Sequence, residues 1–218
     1  KTMLKLLKEN GKIIFEEPYL GSMYEKISYD QIYDEHIFMF SATSIAKIYK
    51  LHGLKLVDVV PQKTHGGSMR YVITKNINER TSNRLKKILI KEKKGNVDTL
   101  KGCYMFKKNV ENSKEKLIKK LRKMKNKNLK ICGYGATSKS TTILNYCRIG
   151  PDIIDVIFDT TKDKINKFSP GMHIPIKDYR YFNKSNYKNI FLFAWNHKKE
   201  ILKKEKSREN CQWFNHLN

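Results

Sequence analysis

Phenols, carboxylates and an imidazole stand together in Tyr29-Asp30-Gln31-Ile32-Tyr33-Asp34-Glu35-His36. That is the inventory of a proton-transfer site, because an imidazole titrates near neutral pH and a neighbouring carboxylate can fix its tautomer. Taken as a helix, the run puts Tyr29, Tyr33 and His36 on one face. It also reads as the polar side of a solvated helix, and composition does not separate the two.

A second constellation is Gly133-Tyr134-Gly135-Ala136-Thr137-Ser138-Lys139-Ser140, placed between a strand-like run at 129–132 and a helix-like run at 138–147. Backbone amides and a helix dipole at such a junction can hold a phosphate. The run completes neither glycine fingerprint: Ser138 stands where a dinucleotide loop has its third glycine and where a P-loop has the glycine before its lysine. It is either a phosphate-contacting turn with Lys139 as the charge, or a tight structural turn. Asp159 closes the next strand, where it either bonds a ribose hydroxyl or caps a turn. Trp195 and Asn196 close a later strand, to stack on or bond a base or sugar, or simply to pack.

The elements that must carry these groups follow from periodicity. Met3, Leu4, Leu6 and Leu7 form the apolar stripe of a helix ended by Gly11, and 12–16 is a short buried strand, which together read as half of a parallel α/β unit. The chain thus opens inside a pattern already under way and reads as a fragment. Ser41 or Ser44 caps a helix through Leu51 with Ile45, Ala46, Ile48 and Tyr49 inward, closed by Gly53. Runs at 54–60 and 69–73 make an antiparallel hairpin around the glycines at 66 and 67. Residues 75–127 are lysine-rich and helical apart from a break at 93–98, with Leu117, Ile118, Leu121 and Met124 at helical spacing. Strand, turn, helix (138–147), strand (153–158), linker, strand (190–193) and helix (197–206) then predict a small Rossmann-like parallel sheet.

The chain has 218 residues with 39% hydrophobic content, enough for a real core. No run is long and apolar enough to cross a bilayer and no signal peptide opens the chain, so a cytoplasmic protein without a membrane partner is expected. Cys103, Cys132, Cys147 and Cys211 are too scattered for a zinc site, and no metal ligands are assigned. Lysine and arginine number 45 against 21 acidic residues, a formal charge of +24. The lysines are spread among Asn and Ile along the whole chain, which reads as compositional bias, and nucleic acid is not expected as a partner.

In this order the pieces resemble the nucleotide-sugar C-methyltransferases, S-adenosylmethionine-dependent enzymes that methylate a ring carbon of a nucleotide-linked keto-deoxysugar. The resemblance rests on Tyr29 to His36, on His65-Gly-Gly-Ser-Met-Arg70, on Gly133 to Lys139 with Asn145-Tyr146 and Gly150-Pro151-Asp152, and on Pro170-Gly-Met-His-Ile-Pro-Ile176. It implies an α/β chain in three parts. Residues 1–74 would be the C-terminal strands of a class I methyltransferase Rossmann-like domain, 75–127 a helical connector, and 128–218 a Rossmann-like C-terminal domain for the nucleotide sugar. It implies His36 as general base at the carbon alpha to the ketone, with Tyr33 beside it to donate to the enolate oxygen and Glu35 either to orient His36 or to hold a sugar hydroxyl. Substrate contacts would come from His65, Gly66, Gly67, Ser68 and Arg70, from Gly133, Tyr134, Gly135, Ala136, Lys139 and Asn145, and from Asp159, His173, Trp195 and Asn196. The cofactor would be S-adenosylmethionine, seated largely outside this segment, with zinc only in a missing N-terminal module, and the partner a dTDP-type nucleotide sugar. Met39, where the family carries an aromatic, is a departure. A non-catalytic nucleotide-sugar or polyanion binding module, and a methyltransferase acting on oxygen or nitrogen, are the competing readings.

Overall fold

The computed structural model describes residues 2–217, with side chains from Leu4 onward. The chain forms two compact units. One comprises the residues up to Ser28 together with Ile37–Lys108, and the other comprises Tyr29–His36 with the residues from Asn109 on.

The first unit opens with helix α1 (Thr2–Leu6), strand β1 (Lys12–Pro18) and helix α2 (Leu20–Lys26). Helix α3 (Ala42–Lys50), strands β2 (Lys55–Gln62) and β3 (Ser68–Thr74) and helix α4 (Asn83–Lys94) follow, and the long helix α5 (Leu100–Asn126) begins in this unit and continues into the second from Asn109. Leu4 and Leu7 pack on the core as expected, but Leu6 is 81% exposed and the Met3 side chain lies outside the described residues.

The sheet order is β1-β3-β2 and both pairings are antiparallel. The hairpin expectation holds. The parallel α/β expectation for β1 does not, since β1 pairs antiparallel with β3, and a helix-glycine-strand pattern says nothing about which strand will be the partner. Alternation in β3 sends Met69, Tyr71 and Ile73 into the core, where they meet Ile45 of α3 and Leu85 of α4. Ile48, expected inward, is 42% exposed. Helix α2 has no counterpart in the expectations, because Gly21 and Ser22 weaken its helical signature.

Ser41 caps α3 by accepting from the Ser44 amide at 2.9 Å, and Ser44 Oγ accepts from the Ser41 amide in return. Glu92 of α4 reinforces that end from within the core. Its carboxylate accepts from the amides of Ala42 and Thr43, the Thr43 hydroxyl and the Tyr19 phenol at 2.6–2.9 Å. A buried carboxylate is tolerable there because four donors and the positive end of the helix answer its charge.

The second unit is a five-stranded sheet, all parallel. Strands β4 (Ile131–Tyr134), β5 (Val156–Asp159), β6 (Ile176–Asp178), β7 (Asn189–Leu192) and β8 (Gln212–Phe214) lie in the order β6-β5-β4-β7-β8. Helix α6 (Ser138–Cys147) follows β4, and helix α7 (Lys198–Lys204) comes between β7 and β8. The strands β4, β5 and β7 are buried at every residue, as a covered parallel sheet requires. Cys132, Tyr134, Val156, Phe158, Ile190 and Leu192 share one core with Phe182.

The Rossmann-like expectation is met. Strands β6 and β8 were not foreseen, being three residues each with polar members. The central strands begin or end up to three residues from their expected bounds. Strand order reverses between β4 and β7, which makes the C-terminal ends of these two strands the switch point of the sheet. Among the described residues no helix is long and apolar enough to cross a membrane.

Candidate functional site

His36 and Tyr33 meet. Nε2 of His36 lies 3.1 Å from the Tyr33 hydroxyl, and both residues are half-buried while Glu35 is exposed. The expected helix is absent: only Tyr29–Gln31 make one 3-10 turn, after which the chain bends and the His36 amide donates to the Tyr33 carbonyl at 3.0 Å. The helical spacing loses to tertiary contacts that pull Tyr29 inward. Tyr29 is buried, edge-on to Tyr146 and His216, so it does not share a face with Tyr33 and His36.

Burial first, and then the charge and hydrogen bonding of Glu35, push the Tyr33 phenol above its ordinary value. Glu35 is thus a partner of the phenol, and which atom donates across the 3.1 Å contact follows the tautomer of His36.

The run sits against α6, where the Thr142 hydroxyl donates to the Ile32 carbonyl at 3.3 Å. Lys139, in the first turn of α6, is 8% exposed. Burial pulls its ammonium below the usual lysine range, against the fields of Asp30 and Glu35. The structure thus brings Lys139 together with the Tyr33–His36 turn.

The glycine turn is fixed from two sides. Gly135 adopts φ +88°, which only glycine takes without strain, and Gly133 has no room for a Cβ beside Phe193 and Ile157. Asp159 accepts from the Ala136 amide at 2.6 Å and the Thr161 amide at 2.7 Å, the geometry of a turn cap. Lys164 donates to the Ala136 carbonyl at 2.8 Å. Tyr134 points into the core, its hydroxyl donating to buried Glu205 at 2.8 Å. Asn145 donates to the Thr141 and Pro170 carbonyls, and His173 is exposed at φ +54°. Next to the turn, Ala136, Thr137, Ser140, Lys164, Lys167 and Ser169 border a cavity of about 340 Å3.

Trp195 donates from Nε1 to Asp30 at 2.6 Å, and its neighbour Asn196 is half-buried. Sequence reasoning placed Asp30 in the run without a role and missed His216, which has no motif around it.

In the first unit, His65 is exposed at φ +51°, followed by Gly66 and Gly67, both with positive φ. Lys26 donates to the Gly66 carbonyl, and Ser68 donates to the Thr64 carbonyl at 3.2 Å. Arg70 pairs with Glu16, its cross-strand neighbour, at 3.1 Å.

A family model described as the C-methyltransferase C-terminal domain matches residues 63–215. The C-methyltransferase NovU of Streptomyces niveus is 28% identical over 202 residues, covering 92% of this chain and 48% of that protein. The chain therefore spans about half the length of the curated relative it matches.

Proposed function

Because the chain belongs to the family of C-methyltransferase C-terminal domains, we propose that it serves S-adenosylmethionine-dependent C-methylation of a nucleotide-linked keto-deoxysugar, with His36 as the base. The observation that carries this reading is the 3.1 Å contact between His36 Nε2 and the Tyr33 hydroxyl. A carbon acid alpha to a ketone needs a base poised near neutral pH and held in one orientation. Tyr33 supplies that orientation through its contact with Nε2, and His36 takes the proton.

S-adenosylmethionine supplies an electrophilic methyl group to such a carbanion. In this reading the residues here act on the sugar, and the cofactor is seated outside this segment. The cavity beside Ala136 and Lys164 suits the nucleotide part, with lysines at 164 and 167 to answer a diphosphate. A dTDP-type sugar is the substrate class, and the cytoplasm, where nucleotide sugars are made, is the compartment.

The test is exchange of the alpha proton for solvent deuterium, followed by NMR in the longest coding form of the protein with a dTDP-linked keto-deoxysugar. His36→Ala should abolish exchange while sugar binding by calorimetry persists. Exchange at the wild-type rate would remove His36 from the role of base.

A further inference from the structure

The switch point of a parallel sheet is where such folds usually receive a ligand. In the second unit the chain's own residues reach that place. Asp30 is fully buried. Its Oδ2 accepts from Trp195 Nε1 at 2.6 Å, just past the end of β7. Its Oδ1 stands 3.1 Å from Nε2 of buried His216, just past β8, though the two atoms are not aligned for a hydrogen bond. Lys139, in the first turn after β4, adds its field. A buried carboxylate is costly unless such partners surround it, so the position of Asp30 is strongly specified.

The flanking residues are held as well. Tyr29 lies edge-on to His216, with ring centroids 5.2 Å apart, and Ile32 is bonded by Thr142. The segment is thereby pinned at residues 29, 30 and 32, immediately ahead of Tyr33, Glu35 and His36.

We propose that Asp30 is the positioning residue of the base: through Trp195 and His216 it seats the Tyr33–His36 turn in the switch-point crevice, where it takes the place of an anionic ligand. The inference rests on the reading of His36 as base. Trp195 and His216 act through Asp30, and Trp195 is an anchor for the segment ahead of being a platform for a nucleotide base. Small displacements of a base are expensive, with about 1 Å costing up to about a hundredfold in rate.

Trp195→Phe removes the N–H and keeps most of the ring. Trp213→Phe is the matched control, since it deletes a different indole bond in the same unit, that to the Arg208 carbonyl at 3.2 Å. Hydrogen exchange by mass spectrometry should show the peptide spanning 29–36, whose amides include Ile32 N–H bonded to Tyr29 and His36 N–H bonded to Tyr33, exchanging about tenfold faster in Trp195→Phe. Peptides from β4 and β7 should be unchanged, and Trp213→Phe should protect 29–36 as wild type does. In the substrate deuterium assay Trp195→Phe should lower kcat by about tenfold or more with KM within about twofold, the split expected of a misplaced base.

Wild-type protection of 29–36 in Trp195→Phe would overturn the proposal, and so would equal loosening by Trp213→Phe. A KM effect without a kcat effect would overturn it too, by making Trp195 a ligand residue. If the wild-type protein exchanges no substrate deuterium, the role of His36 fails on its own, and the peptide protection still decides whether Asp30 anchors the turn.

Discussion

Tyr33 and His36 stand with ring centroids 4.9 Å apart and planes tilted by 56°, joined by a contact of 3.1 Å between hydroxyl and Nε2. The contact orients the imidazole and leaves the rings unstacked, so its loss should alter reactivity more than folding. Tyr33→Phe keeps the half-buried ring and deletes only the oxygen. The expected outcome is a drop of about tenfold to a hundredfold in the rate of alpha-deuterium exchange, with KM and thermal midpoint close to wild type. A Tyr33→Phe protein that exchanged at full rate would show that Glu35, or the backbone alone, orients His36.

Glu92 makes a different kind of demand, because four donors depend on one side chain. Glu92→Ala leaves the Tyr19 phenol, two amides and the Thr43 hydroxyl without their acceptor, at a cost of about 3 kcal/mol or more. Glu92→Gln keeps one acceptor oxygen and should cost less than half of that. Urea denaturation followed by circular dichroism measures both, and equal midpoints for wild type and Glu92→Ala would show that the carboxylate is dispensable.

Acid stability should report on Asp58. Burial alone would raise its carboxyl, but Arg84, the Ser82 hydroxyl and the Val59 amide outweigh burial and hold it below the usual carboxylate range. A carboxyl whose folded pKa lies below its unfolded value of ~3.9 stabilises the fold above that value, and the contribution is lost as pH falls through the folded value. Asp58→Asn should therefore be less stable than wild type at about pH 7, with the two urea midpoints drawing together as pH falls below about 4 toward the folded value. Parallel curves over that range would mean that the Asp58 pairing contributes nothing.

Much of this was legible beforehand, and the pieces that were not share a cause. Local rules found the hairpin around Gly66 and Gly67, the capped helix α3, the break between α4 and α5, and the strand-turn-helix at Gly133, because each is written in neighbouring residues. Tyr33 and His36 meet as a cluster of side chains, but the helix read for them is absent, since the fate of Tyr29 is decided by His216 far along the chain. Strand β1 was assigned the wrong kind of neighbour for the same reason, its pairing partner being set by β3. Asp159 illustrates the opposite case: a turn cap was visible in the sequence, and the Ala136 and Thr161 amides supply its geometry.

The second unit borrows Tyr29–His36 from a stretch of chain whose flanks belong to the first. The segment that defines the family, 63–215, stops one residue short of His216 and begins long after Asp30. Boundaries drawn at those limits would cut a gene fragment that keeps Trp195 and loses the buried carboxylate of Asp30 and the imidazole of His216. Chimeras that exchange this segment between relatives would inherit a crevice from one parent and its occupant from the other. Recombination within the family should therefore succeed or fail on the match between residues 29–36 and the strand ends that receive them, ahead of any match at the junction itself.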